Sequence, residues 1–171
     1  WSAAVLPPRN PDSFTSEGLS DVAWDGRQFI AVGNGYPAGR VLYTSPDGRE
    51  WTRTTGVGGE VITHGDGITV ILGPRVWSST DGEHWSESAL PGDAAGWVTD
   101  AVWVRDHFVA VSPKGVLTSP DGVAWGFQPL AADAKLTRLA TDGTGVVLAG
   151  RDFYFSDDGE HWTPWVTQRL T

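Results

Sequence analysis

Four aspartates recur at regular spacing in this 171-residue sequence, and their side chains are capable of binding metal or transferring protons. Their carboxylates could bind Ca²⁺, but a calcium site needs several clustered oxygens, and each of these aspartates stands alone beside a glycine. Two histidines, His84 and His161, follow two of the aspartates without the spacing of a metal-ligand pair. We therefore predict no metal, no cofactor and no catalytic residue, and assign the carboxylates to turn formation. The four aspartates are Asp47, Asp81, Asp121 and Asp158.

Tryptophan offers a second kind of chemistry, because an indole ring stacks on the apolar side of a sugar while nearby polar groups bond its hydroxyls. Trp24 and Trp103 end equivalent predicted strands just before a turn, so we expect both on the same rim of the fold. Asn34 and Tyr36 lie in the segment from Asn34 to Arg40, which we predict to be the longest inserted loop. These four are the predicted ligand-binding residues; the alternative is that the tryptophans pack between sheets.

The element that must position these residues is a repeat. The motif S-x-D-G-x-x-W occurs four times without gaps, and its serines are 34, 40 and 37 residues apart. That period matches one four-stranded propeller blade. The motif residues, which we assign a structural role, are Ser45, Asp47, Gly48, Trp51, Ser79, Asp81, Gly82, Trp85, Ser119, Asp121, Gly122, Trp125, Ser156, Asp158, Gly159 and Trp162.

Each motif reads as a tight turn between two strands. Asp-Gly between β-rich runs is a strong hairpin signal, since glycine accepts a positive φ and the aspartate carboxylate can accept bonds from nearby backbone N–H groups. The serine hydroxyl can tie the turn from the other side, and the tryptophan is expected to open the outer strand of each unit. The second strand of each unit is nearly all apolar, as in Phe29 to Val32 and Val146 to Ala149, so we predict that neighbouring blades cover both of its faces.

These four motifs resemble the Asp-box (BNR) repeat of sialidases and many bacterial β-propellers, with glycine following aspartate directly. The resemblance implies an all-β propeller of four Asp-box blades, either a small closed ring or part of a larger propeller. The expected blades are 19–56, 57–91, 97–130 and 135–166 of a single domain over 1–171, and residues 1–8 are expected to form an additional outer strand.

The same resemblance raises the question of sialidase activity. Such enzymes use a cluster of three arginines and a tyrosine nucleophile on a six-bladed ring, whereas this sequence offers four blades and three tyrosines. Tyr43 and Tyr154 occupy equivalent places before the motif, which favours a structural role, and no arginine motif of the family is found. We therefore expect no glycoside hydrolase activity.

Charge and composition limit the partners. Twenty-one acidic against 12 basic side chains give a formal charge of −9, and no apolar run could cross a bilayer, so nucleic acid and membranes are not expected partners. We predict a bacterial, secreted or periplasmic, carbohydrate-binding domain. The alternatives are a protein scaffold or assembly factor, or a fragment of a larger propeller that carries the function. The sequence offers five outer strands for four sets of inner strands. We expect that the two ends compete for the edge of the last blade, that the surplus strand pairs with another copy of the chain, or that neighbouring blades were removed.

Overall fold

The computed structural model of the protein describes residues 16–36, 39–92, 98–130 and 134–165. They form sixteen β-strands in four antiparallel sheets of four strands each. The described ranges contain no helix, and therefore none with the length and apolarity needed to cross a bilayer. Each sheet corresponds to one repeat, and we number the sheets as blades 1 to 4 in chain order.

Every blade contains four strands in sequence order. Blade 1 comprises β1 (Ser16–Trp24), β2 (Phe29–Tyr36), β3 (Gly39–Ser45) and β4 (Thr52–Thr55). Blade 2 comprises β5 (Val61–Gly65), β6 (Ile68–Leu72), β7 (Val76–Ser79) and β8 (Ser86–Ser88). Blade 3 comprises β9 (Asp100–Val104), β10 (His107–Ser112), β11 (Gly115–Ser119) and β12 (Gly126–Pro129). Blade 4 comprises β13 (Arg138–Thr141), β14 (Val146–Ala149), β15 (Phe153–Ser156) and β16 (Thr163–Trp165).

The first strands of consecutive blades lie against one another: β5 packs on both β1 and β9, and β9 packs on β13. Each remaining strand is hydrogen-bonded to the one before it, so the strand order in every blade runs outward from the first strand. Radial sheets joined at their inner strands define a β-propeller. The predicted fold class, an all-β propeller of four blades, is confirmed.

Three apolar cores lie between blades, one at each junction. The first joins Ile30 and Leu42 of blade 1 to Ile62 and Ile71 of blade 2. The second joins blade 2 to blade 3 around Val70, Leu72, Phe108 and Leu117, and the third joins blade 3 to blade 4 around Val109, Val111, Leu139 and Leu148. A fully buried side chain of this size contributes about 1.5–3 kcal/mol. The blades are therefore held together mainly by burial between their faces.

Each blade has a trailing face, turned toward the next blade, and a leading face, turned toward the preceding one. The trailing face of blade 4 is exposed at Val147, Phe153, Phe155 and Trp165, with exposed fractions from 41% to 67%. The prediction that both faces of every second strand are covered is therefore wrong for Val147. The physical reason is that no blade packs on this side of blade 4 in the described chain.

The predicted loop from Asn34 to Arg40 is also corrected. Strand β2 continues to Tyr36 and β3 begins at Gly39, so Gly35 pairs with Gly39 and the segment extends a hairpin. The extended part of β2 also pairs with β1, which begins at Ser16 and not at Leu19, the first residue of the predicted blade. A β-bulge between Leu19 and Asp21 places one extra residue in β1.

Smaller differences concern strand ends. The sequence pattern predicts that the first strands of blades 3 and 4 begin at Val98 and Leu136. They begin two residues later, at Asp100 and Arg138, which is the usual uncertainty of strand ends. The outer strands begin one residue after the motif tryptophan, as with Thr52 after Trp51. The additional outer strand expected at residues 1–8 lies outside the described residues.

Candidate functional site

The four motif turns share one hydrogen-bond pattern. In each, the glycine N–H donates to the serine hydroxyl three residues earlier, at 2.8 or 2.9 Å. The serine hydroxyl donates to aspartate Oδ1 at 3.0–3.3 Å, and the same Oδ1 accepts the N–H groups two and three residues after the aspartate. The motif glycines have φ between +71° and +76°, where a side chain is strained. Because backbone N–H groups stabilise the carboxylate, the pKa of each motif aspartate is lowered.

In two of these turns, a histidine ring contacts the second carboxylate oxygen of the motif aspartate. His84 Nδ1 lies 2.8 Å from Asp81 Oδ2, and His161 Nδ1 lies 2.7 Å from Asp158 Oδ2. This hydrogen bond to a carboxylate raises the pKa of both histidines above the ordinary value of 6.5. In blade 3, Ala124 stands at the same motif position.

Replacement of Asp81 with asparagine is expected to return the pKa of His84 toward 6.5 and to leave that of His161 raised. Because folding raises the pKa of His84, its ion pair stabilises the fold fully below pH 6.5, and this contribution is lost as pH rises through the folded pKa. Titration of the imidazole resonances by NMR measures both values.

Asp121→Asn is the matched control, since it changes an equivalent turn that has no histidine. A pKa for His84 that stays raised in the Asp81→Asn variant would contradict the ion pair.

The motif glycines also bring each blade close to the preceding one. A Cβ added at Gly122 would lie 2.5 Å from Val70 Cγ2 of blade 2, and one added at Gly159 would lie 2.9 Å from Val109 Cγ2 of blade 3. A Cβ at Gly82 would come within 3.3 Å of Ile30 Cδ1 of blade 1. The motif therefore shapes the junction between blades in addition to forming a turn.

Trp24 and Trp103 occupy equivalent positions, paired with Phe29 and Phe108 respectively. The Trp103 ring is half-buried, lies 4.6 Å from the Phe108 ring, and packs against Gly65 of blade 2 so closely that a Cβ there would overlap it. The Trp24 ring lies 4.8 Å from the Phe29 ring, and the residue is 47% exposed. Trp103 thus lies between two blades, whereas Trp24 is an exposed residue at the inner end of the leading face of blade 1.

Asn34 and Tyr36 lie at the other end of blade 1. Strand β2 runs from Phe29, beside Trp24, to Tyr36, and seven residue steps span about 23 Å. Asn34 Nδ2 donates to Glu60 Oε1 at 3.4 Å, and Tyr36 is 71% exposed. The structure therefore does not bring the four sequence-predicted residues together into one site.

A different concave surface lies on the trailing face of blade 4. A cavity of about 370 Å³ is bounded there by Val147 and by aromatic side chains of the two outer strands. The sequence signal for this surface is the alternation in β15, where Tyr154 is buried and its neighbours Phe153 and Phe155 are exposed. The exposed aromatic residues that line it are Phe153, Phe155 and Trp165.

A second cavity of about 340 Å³ adjoins the first and shares Val147 and Phe155 with it. Its remaining lining is more polar and includes Asp142, Thr144 and Asp157. Hydrogen bonds from the Gly145 N–H and from Thr144 lower the pKa of Asp142 to about 2. The trailing face of blade 4 thus combines an apolar surface with an acidic edge.

No protein-family model and no curated protein match this sequence. Solved structures do match, with low sequence identity. YCF48 from Cyanidioschyzon merolae is 16% identical with a TM-score of 0.66, over 92% of this chain and 59% of that one. PorZ is described as an essential bacterial surface component of the type-IX secretion system of Porphyromonas gingivalis. It is 15% identical with a TM-score of 0.55, and the match covers 86% of this chain and 20% of PorZ. Raptor from Chaetomium thermophilum is 15% identical with a TM-score of 0.59, and the match covers 95% of this chain and 17% of Raptor.

These neighbours are β-propeller-like proteins, in agreement with the four radial sheets. The chain spans 59% or less of the length of each of them. At this identity the likeness concerns the fold alone.

Proposed function

We propose that this protein is a non-catalytic binding domain that docks another protein on the trailing face of blade 4. The observation that carries the proposal is the exposure of Val147. Its equivalents in blades 2 and 3, Val70 and Val109, are 0% exposed beneath the next blade, whereas Val147 is 41% exposed. A sheet face that would normally pack against the next blade is apolar, so it forms a contiguous apolar surface when no blade covers it. Exposed apolar surfaces of this kind mark interaction sites.

The chemistry of this face favours a protein partner. Phe153, Phe155 and Trp165 present aromatic rings around a cavity of about 370 Å³. Aromatic anchors with few polar groups at the centre, bordered by a polar rim, are typical of protein interfaces. Asp142 and Asp157 supply such a rim on one side, so a partner segment with apolar side chains next to a basic one fits best.

The proposal includes the assignment of the four motif turns to the Asp-box class and a structural role for them. Support comes from their common hydrogen bonds, which occupy the serine hydroxyl and one carboxylate oxygen in every turn. Groups committed to their own turn are poorly placed to act on a substrate.

The proposal also places the protein outside the bacterial cytoplasm, secreted or periplasmic. Its support is the description of PorZ, one of the structural neighbours, as a bacterial surface component.

Carbohydrate recognition is a second candidate function, favoured by the acidic edge of the same face. There the Phe155 ring adjoins Asp142, Thr144 and Asp157, which combines a stacking surface with hydrogen-bonding groups. In this arrangement the sugar would bind to blade 4 and not to the predicted residues Trp24, Trp103, Asn34 and Tyr36.

Selection from a displayed peptide library tests the first function, and a glycan array tests the second. We expect enriched peptides with aromatic or aliphatic side chains, and we expect Phe155→Asp to abolish their binding. Val123→Asp is the matched control, because Val123 is 46% exposed but lies in the motif turn of blade 3, away from this face.

Three outcomes are distinguishable. Peptide binding that Phe155→Asp removes and Val123→Asp retains supports protein docking. Binding of a glycan, without peptide binding, that is lost in Phe155→Ala and in Asp142→Asn supports the second function. Peptide binding that is unchanged by Phe155→Asp would overturn the assignment to blade 4.

A further inference from the structure

We infer that the partner of the trailing face of blade 4 is a single peptide segment that places an arginine in the second cavity, against the Phe155 ring and beside the carboxylates of Asp142 and Asp157. This assignment rests on the proposed function and names the chemistry of its partner. The other occupants of a sheet face, a further propeller blade or a second copy of this chain packed as a blade, match this face less well.

The trailing face of blade 4 differs from the other three in its side chains, and the strand register gives the correspondence. Phe155 pairs with Val147 of the second strand. The residues in the place of Phe155 in blades 1 to 3 are Thr44, Ser78 and Thr118. Trp165 occupies a position of the outer strand that holds Thr54, Ser88 and Gln128 in the other blades. Two aromatic rings therefore stand where every other blade has a smaller polar side chain.

Small side chains in the place of Phe155 let consecutive blades approach closely. A Cβ added to the motif glycine of the next blade would lie only 2.5 Å from Val70 Cγ2 and 2.9 Å from Val109 Cγ2. In blade 4, the Phe155 ring covers Gly145, where an added Cβ would lie 3.1 Å from Phe155 Cε2. A blade packed at the spacing of the internal junctions would meet this ring beside Val147, so the face is not shaped for another blade.

The second cavity is present because blade 4 lacks a side chain that the other blades have. Gly145, which lines this cavity of about 340 Å³, directly precedes the second strand. The side chains at the same place in blades 1 to 3 all contact the position of a Cβ on the next motif glycine, at 2.4 to 3.6 Å. They belong to Gln28, Ile68 and His107. Part of the space that they fill is open in blade 4 and is available to a side chain of a partner.

The carboxylate of Asp142 is turned toward the side on which a following blade would lie. Its Oδ1 accepts the N–H groups two and three residues later, at 2.8 and 3.0 Å, and Asp25 Oδ1 in blade 1 accepts the equivalent pair. Asp25 Oδ2 lies 2.9 Å from the position of a Cβ on Gly82, the motif glycine of blade 2. By the same turn geometry, Asp142 Oδ2 lies where a group docked on blade 4 can bond it.

Asp157 supplies a second carboxylate that no other blade has at this place. It follows the motif serine, where the other three motifs have Pro46, Thr80 and Pro120. Asp157 is exposed and lines the same cavity as Asp142. Among the described residues that line the two cavities, none is basic. The negative charge of this edge is therefore left for a partner to neutralise.

A guanidinium group matches this edge better than an ammonium group. Its flat face stacks on an aromatic ring, and its N–H groups lie in the same plane, where they bond carboxylates at the margin of the ring. Phe155 supplies the ring, and Asp142 and Asp157 supply the carboxylates. The adjoining cavity of about 370 Å³ shares Phe155 and Val147 and accepts an apolar side chain of the same segment.

Calorimetry with synthetic peptides tests the arginine site. The probes are peptides that the wild-type chain enriches from a displayed random library, each also made with its arginine replaced by lysine or by glutamine. We expect the enriched peptides to contain arginine near an apolar residue, and we expect each replacement to weaken binding about tenfold. Added salt should also weaken binding, because opposite charges attract across the contact.

Asp157→Asn is the decisive variant, because the motif hydrogen bonds use Ser156 and Asp158 and the turn stays intact. We expect it to weaken peptide binding about tenfold. Asp66→Asn is the matched control and should leave binding unchanged. Asp66 is an exposed carboxylate of a turn in blade 2, with a φ of +49° that asparagine also adopts.

The contrary outcomes are distinct. Equal binding of the lysine peptides, or binding unchanged by Asp157→Asn, would overturn the arginine site. Association of the wild-type chain in sedimentation velocity that Phe155→Asp removes would overturn it in favour of a second copy on this face. Selected peptides that depend on Phe155 but contain no arginine would overturn it and leave protein docking on blade 4 intact. A library that yields no Phe155-dependent peptide would contradict both.

Discussion

Replacing Gly122 with alanine is expected to lower the free energy of unfolding by about 2–5 kcal/mol. Two costs add at this position. The backbone φ is +71°, which strains any residue with a Cβ, and the new methyl group would lie 2.5 Å from Val70 Cγ2 in the core between blades 2 and 3. Chemical denaturation followed by tryptophan fluorescence measures the change.

Gly48→Ala is the matched control for this prediction. Its φ of +74° imposes the same backbone strain, but among the described residues its Cβ meets only Phe29, at 3.6 Å, which is an ordinary contact. In dilute, monomeric protein it should cost about 1–2 kcal/mol. Equal destabilisation by the two substitutions would show that contact with the preceding blade adds nothing to the cost.

Truncation of Phe108 to alanine should cost about 3–5 kcal/mol, because the ring is 0% exposed and the cavity left behind can collapse only partly. The ring also contacts two others, with centroid distances of 4.6 Å to Trp103 and 6.4 Å to Trp125. The same denaturation experiment measures the loss, and near-ultraviolet circular dichroism reports the changed environment of the two tryptophans.

Phe155→Ala serves as the comparison, since Phe155 is an aromatic residue of an equivalent sheet but is 41% exposed. We expect the monomer to lose less than about 1 kcal/mol. A loss as large as that of Phe108→Ala would mean that the trailing face of blade 4 is covered within a single chain.

The sequence predicts the fold well because the motif is stabilised by local interactions. The serine, aspartate and glycine of each turn bond one another within four residues, so the pattern Ser119-Pro-Asp121-Gly122 specifies its turn without help from distant parts of the chain. Four such turns at blade-like intervals then imply four sheets. The strands between them follow from short apolar runs: the run from Ile68 to Leu72 predicts a strand with these ends, and β6 has the same ends in the structure.

The candidate site could not be predicted in the same way, because exposure depends on which blade lies next to a residue. Trp24 and Trp103 have the same place in their strands. Gly65 of blade 2 packs on Trp103, whereas Trp24 belongs to the first blade and is 47% exposed. Val109 and Val147 are likewise equivalent along their strands, and only Val109 has a following blade. Asn34 and Tyr36 were misplaced for another reason, since the pairing of Gly35 with Gly39 turns a predicted loop into a hairpin.

The central claim is that the trailing face of blade 4 is open in a single chain, and three equivalent valines test it directly. The measurement is the broadening of valine methyl NMR signals by a soluble paramagnetic agent in dilute protein. We predict strong broadening for Val147, which is 41% exposed, and almost none for Val70 and Val109, which are 0% exposed. Protection of Val147 equal to that of Val109 at the lowest concentration would contradict the claim, because it would mean that the chain covers this face by itself.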